Sequence, residues 1–207
     1  PVSWSNNRVK SFNVQHLPPY QTLAKQFIEP ILSLYAHYNT SKNRGRRGAG
    51  NTGAQWQHLS HSMLIHGECG TGKRRSVYTL ASNYGLHCIE LNCYELLAEN
   101  DAQTNDNMKQ VFALAKQVSP CIVYFRNMEA FDAESSGAAA NQLPASMKTA
   151  KLRLVQIINE QLKNQQRLIS RPTFSNSSGS NNIYPILCIC SVEKFEDLTP
   201  PFRTLFM

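Results

Sequence analysis

Four short apolar runs alternate with longer stretches in which apolar residues recur every three or four positions. Met63-Leu64-Ile65-His66, His87-Cys88-Ile89-Glu90-Leu91, Cys121-Ile122-Val123-Tyr124-Phe125 and Ile186-Leu187-Cys188-Ile189-Cys190 have the length of strands. The last two are apolar throughout, which suits strands covered on both faces of a parallel sheet. Leu23, Phe27, Ile31 and Leu34 mark one face of a helix over 18–38, opened by Pro18 and Pro19. A second helix is predicted from Arg74 to Tyr84, with Gly85 as its stop. Met108, Val111, Phe112 and Ala115 predict an amphipathic helix over 105–118, closed by Pro120. Leu152, Val155, Ile158 and Leu162 do the same for 148–164. Strands alternating with helices imply βαβ units, and so an α/β fold in three layers around a central parallel sheet.

The intervening stretches 39–59, 132–147 and 170–182 are polar and lack periodicity. The first and last of these are expected to be flexible loops within a single domain over 1–207. With 207 residues the chain can bury a proper core. Its formal charge of +7 is spread thinly, apart from Lys42-Asn43-Arg44-Gly45-Arg46-Arg47, which reads as a solvated loop. Neither a helix-turn-helix nor a mix of aromatic and basic residues accompanies that run, so nucleic acid is not an expected partner. The six cysteines form no CxxC pair and read as small apolar groups in a reducing compartment. No run of 18 apolar residues is present to span a membrane. Both ends look like cut edges, so a piece of a longer protein is expected. His58, His61 and His66 lack acidic or cysteine partners at ligand spacing, and no metal site is expected there. His87 reads as a polar strand-edge residue, and Trp56 as core packing ahead of an adenine contact.

The first strand runs straight into Gly67-Glu68-Cys69-Gly70-Thr71-Gly72-Lys73, which fits the Walker A pattern G-x-x-x-x-G-K. Glycines let the backbone curl so that several N–H groups face a phosphate. The helix that begins there adds partial positive charge, and Lys73 adds a full one. The expected nucleotide-binding residues are therefore Gly67, Glu68, Cys69, Gly70, Thr71, Gly72, Lys73, Arg74 and Arg75. Position 74 breaks the pattern, since a Ser or Thr hydroxyl there would bind Mg²⁺. Arginine has no acceptor lone pair. Two placements are open for it: reaching a β-phosphate, or pointing to solvent.

A second departure follows 53 positions after Lys73 (126 − 73), at the end of the third strand. P-loop ATPases place an Asp there for the metal, often followed by a Glu that polarises water. Here the two are Arg126 and Asn127, a degenerate Walker B. Arg126 would repel Mg²⁺, and Asn127 cannot act as a base. Glu129 lies two residues on and is expected beyond the sheet edge.

The stretch Pro120-Cys121-Ile122-Val123-Tyr124-Phe125-Arg126-Asn127-Met128-Glu129-Ala130-Phe131 resembles the AAA strand P-A-I-I-F-I-D-E-I-D-A-L with D-E replaced by R-N. Within that group, Gly85-Leu86-His87 through Cys93, Leu96, Ala98 and Glu99 is similar to the degenerate first AAA domain of the peroxin-six family (peroxisome assembly factor 2). Asp197-Leu198 through Thr204 and Phe206 extend the likeness, which covers about 60–206. The family's polar sensor, usually Asn, falls here on Ser191-Val192-Glu193. Arg203 is the last arginine, so the arginines offered to a neighbour's nucleotide are expected to be absent or further on. The helical lid subdomain is expected to be missing.

The resemblance implies a two-ring hexameric motor in which peroxin one alternates with this family. A membrane-anchor protein holds that machine at the peroxisome, where it extracts the ubiquitinated import receptor and returns it to the cytosol. Hydrolysis would belong to a second AAA domain. For this domain the expectation is ATP or ADP held with weak Mg²⁺ dependence and no catalytic residues. A nucleotide-free scaffold for hexamer or partner contacts is the alternative. For adenine, the resemblance makes residues 15–23 a further candidate wall beside Trp56.

Overall fold

In the computed structural model, residues 18–43, 60–96, 101–131, 155–164, 184–198 and 200–206 are described. Four strands form one parallel sheet in the order β1-β4-β3-β2: β1 is Ser62–His66, β2 His87–Asn92, β3 Cys121–Arg126 and β4 Ile186–Val192. The two runs that are apolar throughout, β3 and β4, lie at the centre, with all but Arg126 of β3 and all of β4 buried. Alternate residues of these strands feed two separate cores. Ile122, Tyr124, Leu187 and Ile189 meet the N-terminal helix and the helix Lys73–Asn83. Cys121, Val123, Phe125, Cys188 and Cys190 face the opposite way, toward Met108, Val111, Phe112, Ala115, Ile158 and Phe202. The predicted three-layer α/β sandwich is therefore present, one layer of helices on each face of the sheet.

The N-terminal helical segment departs from its predicted 3.6 period. It runs from Pro18–Thr22 through a π-helical turn, Leu23–Ile28, into Glu29–Asn43. A π turn inserts one residue into the helical repeat. Four residues past the buried Ile31, Tyr35 is 3% exposed and takes an inward position, while Leu34 is partly buried against the same core. The Tyr35 hydroxyl meets His61 Nε2 at 3.1 Å, which ties this helix to the residue preceding β1. Helix also persists to Asn43, past the expected loop start at 39. No Gly or Pro interrupts 39–43, and Thr40 Oγ1 donates to the Ala36 carbonyl at 2.8 Å.

The predicted helix over 105–118 begins earlier, at Asp101, and ends at Gln117. Its first turns carry no apolar stripe to read, although Thr104 is buried. Four short turns have no counterpart in the sequence reading: Cys93–Leu96, Met128–Phe131, Phe195–Asp197 and Pro200–Leu205. None is long enough to build a period. The expected loops 132–147 and 170–182, all of 39–59 beyond Asn43 except its edge with Ser60, residues 148–154 of the fourth helix, Trp56 and His58 lie outside the described residues.

Candidate nucleotide-phosphate site

The C-terminal ends of β1, β3 and β4 open on one side of the sheet, where α/β folds commonly hold ligands. A cavity of about 470 Å³ lies there, within the range of small-molecule sites. Its walls come from the loop after β1, the first turns of the helix Lys73–Asn83, the end of β3 and the end of β4.

The loop is built as its glycines predict. Gly70 and Gly72 have φ of 85°, a left-handed conformation that L side chains rarely adopt. Gly72 is the N-cap of the following helix, and Ser76 N–H donates back to its carbonyl at 2.9 Å. Gly67 N–H donates to the Glu193 carbonyl at 3.2 Å, fixing the loop's start to the chain leaving β4. Thr71 Oγ1 donates to the Glu68 carbonyl at 2.8 Å. Lys73 Nζ turns inward on its own loop, donating to the Glu68 carbonyl at 2.9 Å and to the Gly67 carbonyl.

Of the nine sequence-predicted residues, Cys69, Gly70, Thr71, Gly72, Lys73, Arg74 and Arg75 line the cavity; Gly67 and Glu68 shape the loop behind it. Arg126 and Asn127 line it as well. Asn127 sits at φ 55°, a left-handed position that Asn tolerates better than most residues, and turns the chain sharply out of β3.

Arg74 lines the cavity with its side chain half exposed, and it is held there by a carboxylate. Its Nε and Nη2 both donate to Glu90 Oε2, at 3.1 and 2.8 Å. Arg126 Nη1 donates to the other oxygen, Oε1, at 2.9 Å. The Tyr78 hydroxyl also donates to Oε2, and the Arg74 guanidinium lies 5.5 Å from the Tyr78 ring centre. Burial works to raise the Glu90 carboxyl, but hydrogen bonds from Tyr78, Arg74 and Arg126 outweigh it and hold the group below the usual carboxylate range. Tyr78 is pushed up to about 12, first by burial and then by the same carboxylate. The two positions where a metal-binding P-loop site keeps oxygen ligands thus hold guanidiniums joined through one carboxylate. These side chains do not fit Mg²⁺, because neither offers a lone pair.

Glu129 lies past the end of β3 on the turn Met128–Phe131, as expected, yet it still lines the cavity. One expectation needs correction: Ser191 and Val192 belong to β4 itself instead of following it. Ser191 Oγ accepts from the Tyr124 hydroxyl at 3.0 Å, and Tyr124, Ser191, Val192 and Glu193 all line the cavity. Sequence reasoning missed Glu90, Tyr78 and Tyr124. A signal for Glu90 existed: it is a lone acid in an alternating strand, sharing a face with Asn92, and β2 pairs Asn92 with Arg126.

Other candidates lie elsewhere. Residues 18–23 pack on the helix Lys73–Asn83, with Tyr20 Oη and Asn83 Nδ2 2.5 Å apart, and do not line the cavity; 15–17 fall outside the described residues. His61 is buried beside Tyr35, whereas His66 is exposed, its ring 6.2 Å from that of Phe195. His87 heads the edge strand β2, exposed, with its N–H on the Pro120 carbonyl at 3.2 Å. Among the described residues, no group of three His, Cys, Asp or Glu side chains could hold a metal ion.

A glycine loop between a parallel strand and a helix, closing a cavity at the strand ends, defines a P-loop nucleotide-binding domain. The profile of the ATPase family associated with various cellular activities (AAA) matches residues 63–206, and the chain belongs to that family. It is similar to the peroxisomal ATPase PEX6 of Arabidopsis thaliana, 29% identical over 154 residues, which cover 72% of this chain and 16% of that protein. PEX6 of Dictyostelium discoideum is 22% identical over 146 residues, 70% of this chain and 11% of its own length. Human PEX6 is 31% identical over 67 residues, 32% of this chain and 7% of that protein. The chain therefore matches less than a fifth of the length of these relatives. Among the described residues, no helix is long and apolar enough to cross a membrane.

Proposed function

We propose that the chain is a nucleotide-binding, non-hydrolysing AAA module that takes ATP or ADP with little dependence on Mg²⁺. The observation that carries this reading is the Arg74–Glu90–Arg126 bridge. It places two permanent cations beside the phosphate loop, at the positions where a hydrolysing site keeps metal ligands. Phosphoryl transfer relies on positioning and on charge neutralisation around the transferred group. Arg74 and Arg126 supply charge but no metal ligand, and Asn127 supplies no base, so the site is suited to holding nucleotide and not to turning it over.

The likeness to PEX6 supports placing the module in a two-ring hexamer at the cytosolic face of the peroxisome. There it would alternate with peroxin one, dock on a membrane-anchor protein, and serve the extraction of the ubiquitinated import receptor. Hydrolysis would fall to another AAA domain of the assembly. A second reading, a nucleotide-free scaffold, draws on one observation: Lys73 is already satisfied by the Gly67 and Glu68 carbonyls of its own loop.

Thermal melting with ATP, ADP or no nucleotide, each with Mg²⁺ or with chelator, separates the two. At a hundredfold excess over Kd, bound nucleotide should raise Tm by roughly 5–10 °C. The rise should be equal in chelator, lost in Lys73→Ala, and unaccompanied by phosphate release. No rise at millimolar nucleotide would favour the scaffold, and a rise that vanishes in chelator would contradict the metal-independent site.

A further inference from the structure

We propose that Glu90 is a positioning residue for phosphate, holding Arg74 and Arg126 together on the cavity wall as a preformed cationic pair. The inference rests on the nucleotide-binding reading above and deepens it by naming what organises the site. Three different elements meet here. Arg74 comes from the first turn after the phosphate loop, Arg126 from the end of β3, and Glu90 from the middle of β2. Both arginines line the cavity; Glu90 stands behind them, its side chain 14% exposed.

Two guanidiniums placed side by side repel one another. Glu90 removes that repulsion by giving one oxygen to each: Oε2 accepts from Arg74, Oε1 from Arg126. Tyr78, one helical turn beyond Arg74, fixes the carboxylate through Oε2 and leaves it little freedom to swing. The bridge keeps a net charge of +1; Lys73 and Arg75 on the same wall add two positive charges, which the carboxylates of Glu129 and Glu193 there balance. Stability alone does not account for such an arrangement, because a half-buried ion triad is commonly no better than apolar packing. What it does provide is a pair of planar donors held in register for an anion, which guanidinium geometry suits. Carboxylates that orient metal-binding side chains play the same part in metal sites.

The test is calorimetric titration of ATP in chelator into wild type, Glu90→Gln, Arg126→Gln and the double variant. Glu90→Gln should weaken ATP binding about 10–100-fold, the scale for losing an orienting partner. In the Arg126→Gln background the same change should cost much less, because the pair it organises is gone. Unchanged or tighter binding by Glu90→Gln would overturn the proposal and make Glu90 a competitor for the arginines. Strict additivity of the two losses would overturn it too. Should Glu90→Gln fail to fold, Glu90→Asp carries the test: charge is kept, the carboxylate withdraws by one methylene, and weaker binding is again expected. Wild type that binds no ATP would reject the nucleotide reading itself, whereas wild type that binds while Glu90→Gln equals it rejects only the role of Glu90.

Discussion

Glu90 carries one negative charge between two positive ones, and its ionisation can be read in the stability of the fold. Its carboxyl lies below the usual range in the folded chain, the donors from Tyr78, Arg74 and Arg126 outweighing burial. A group depressed on folding contributes stability that is complete above its unfolded pKa, about 4.3 for Glu, and is lost as pH falls through the folded value. Urea unfolding of wild type and Glu90→Gln should therefore differ at pH 6 and converge as pH drops below about 4. A gap that widens on acidification would contradict the bridge. The residues of this site were unequally legible. Gly67 to Lys73 form one contiguous pattern, so local sequence suffices. The partners of Glu90 lie 16 and 36 positions away, and their meeting depends on the register of β2 against β3. For the same reason the sequence could not show that a carboxylate holds Arg74.

Elements long enough to repeat an apolar period announce themselves; those that are not need the rest of the fold to exist. All four strands were legible from their apolar runs; three gained one polar residue at an end (Ser62, Asn92 and Arg126), and β4 gained two, Ser191 and Val192. The π turn Leu23–Ile28 leaves no trace in a 3.6-residue template, and from Ile31 the period admits both Leu34 and Tyr35, of which Tyr35 is the more deeply buried. The helix Pro200–Leu205 shows how a short element is stabilised from outside. Phe202 is 1% exposed in the core beneath β3 and β4, and the Leu205 carbonyl accepts from Ser62 Oγ at 2.7 Å, on the edge strand β1. Arg203 Nε caps the preceding turn through the Leu198 carbonyl at 2.6 Å and lays its guanidinium 4.8 Å from the Phe195 ring centre. Phe202→Ala should destabilise the domain by about 3–5 kcal/mol, the scale of a large aromatic cavity. Urea midpoints would check it, and a loss under about 1 kcal/mol would mean the helix is peripheral to the core.

At the scale of the whole molecule, the departures from the hydrolytic pattern are spread over three elements: the helix that carries Arg74, the strand that ends in Arg126, and the turn that begins at Asn127. Repairing one of them leaves the others. Arg126→Asp with Asn127→Glu should release no phosphate, because Arg74 still occupies the metal-ligand position. The same pair should also lower stability, since the new Asp would stand beside Glu90 where a guanidinium now pairs with it at 2.9 Å. Phosphate release by that double variant, measured against the wild-type chain, would show that the remaining arginine is no obstacle.

The free thiols are sorted by the same three-layer architecture that buries β3 and β4. Cys69 sits exposed on the phosphate loop; Cys93, Cys121, Cys188 and Cys190 are buried. Burial pushes Cys121 up to about 12 and the other three well above the ordinary thiol range. Thiolate is the reacting form, so a sulfhydryl dye meets two clocks in one molecule. Cys69 is open to the dye in the folded chain and reports what covers the loop. The four buried cysteines wait for the core to open, and their labelling rate measures how seldom it does.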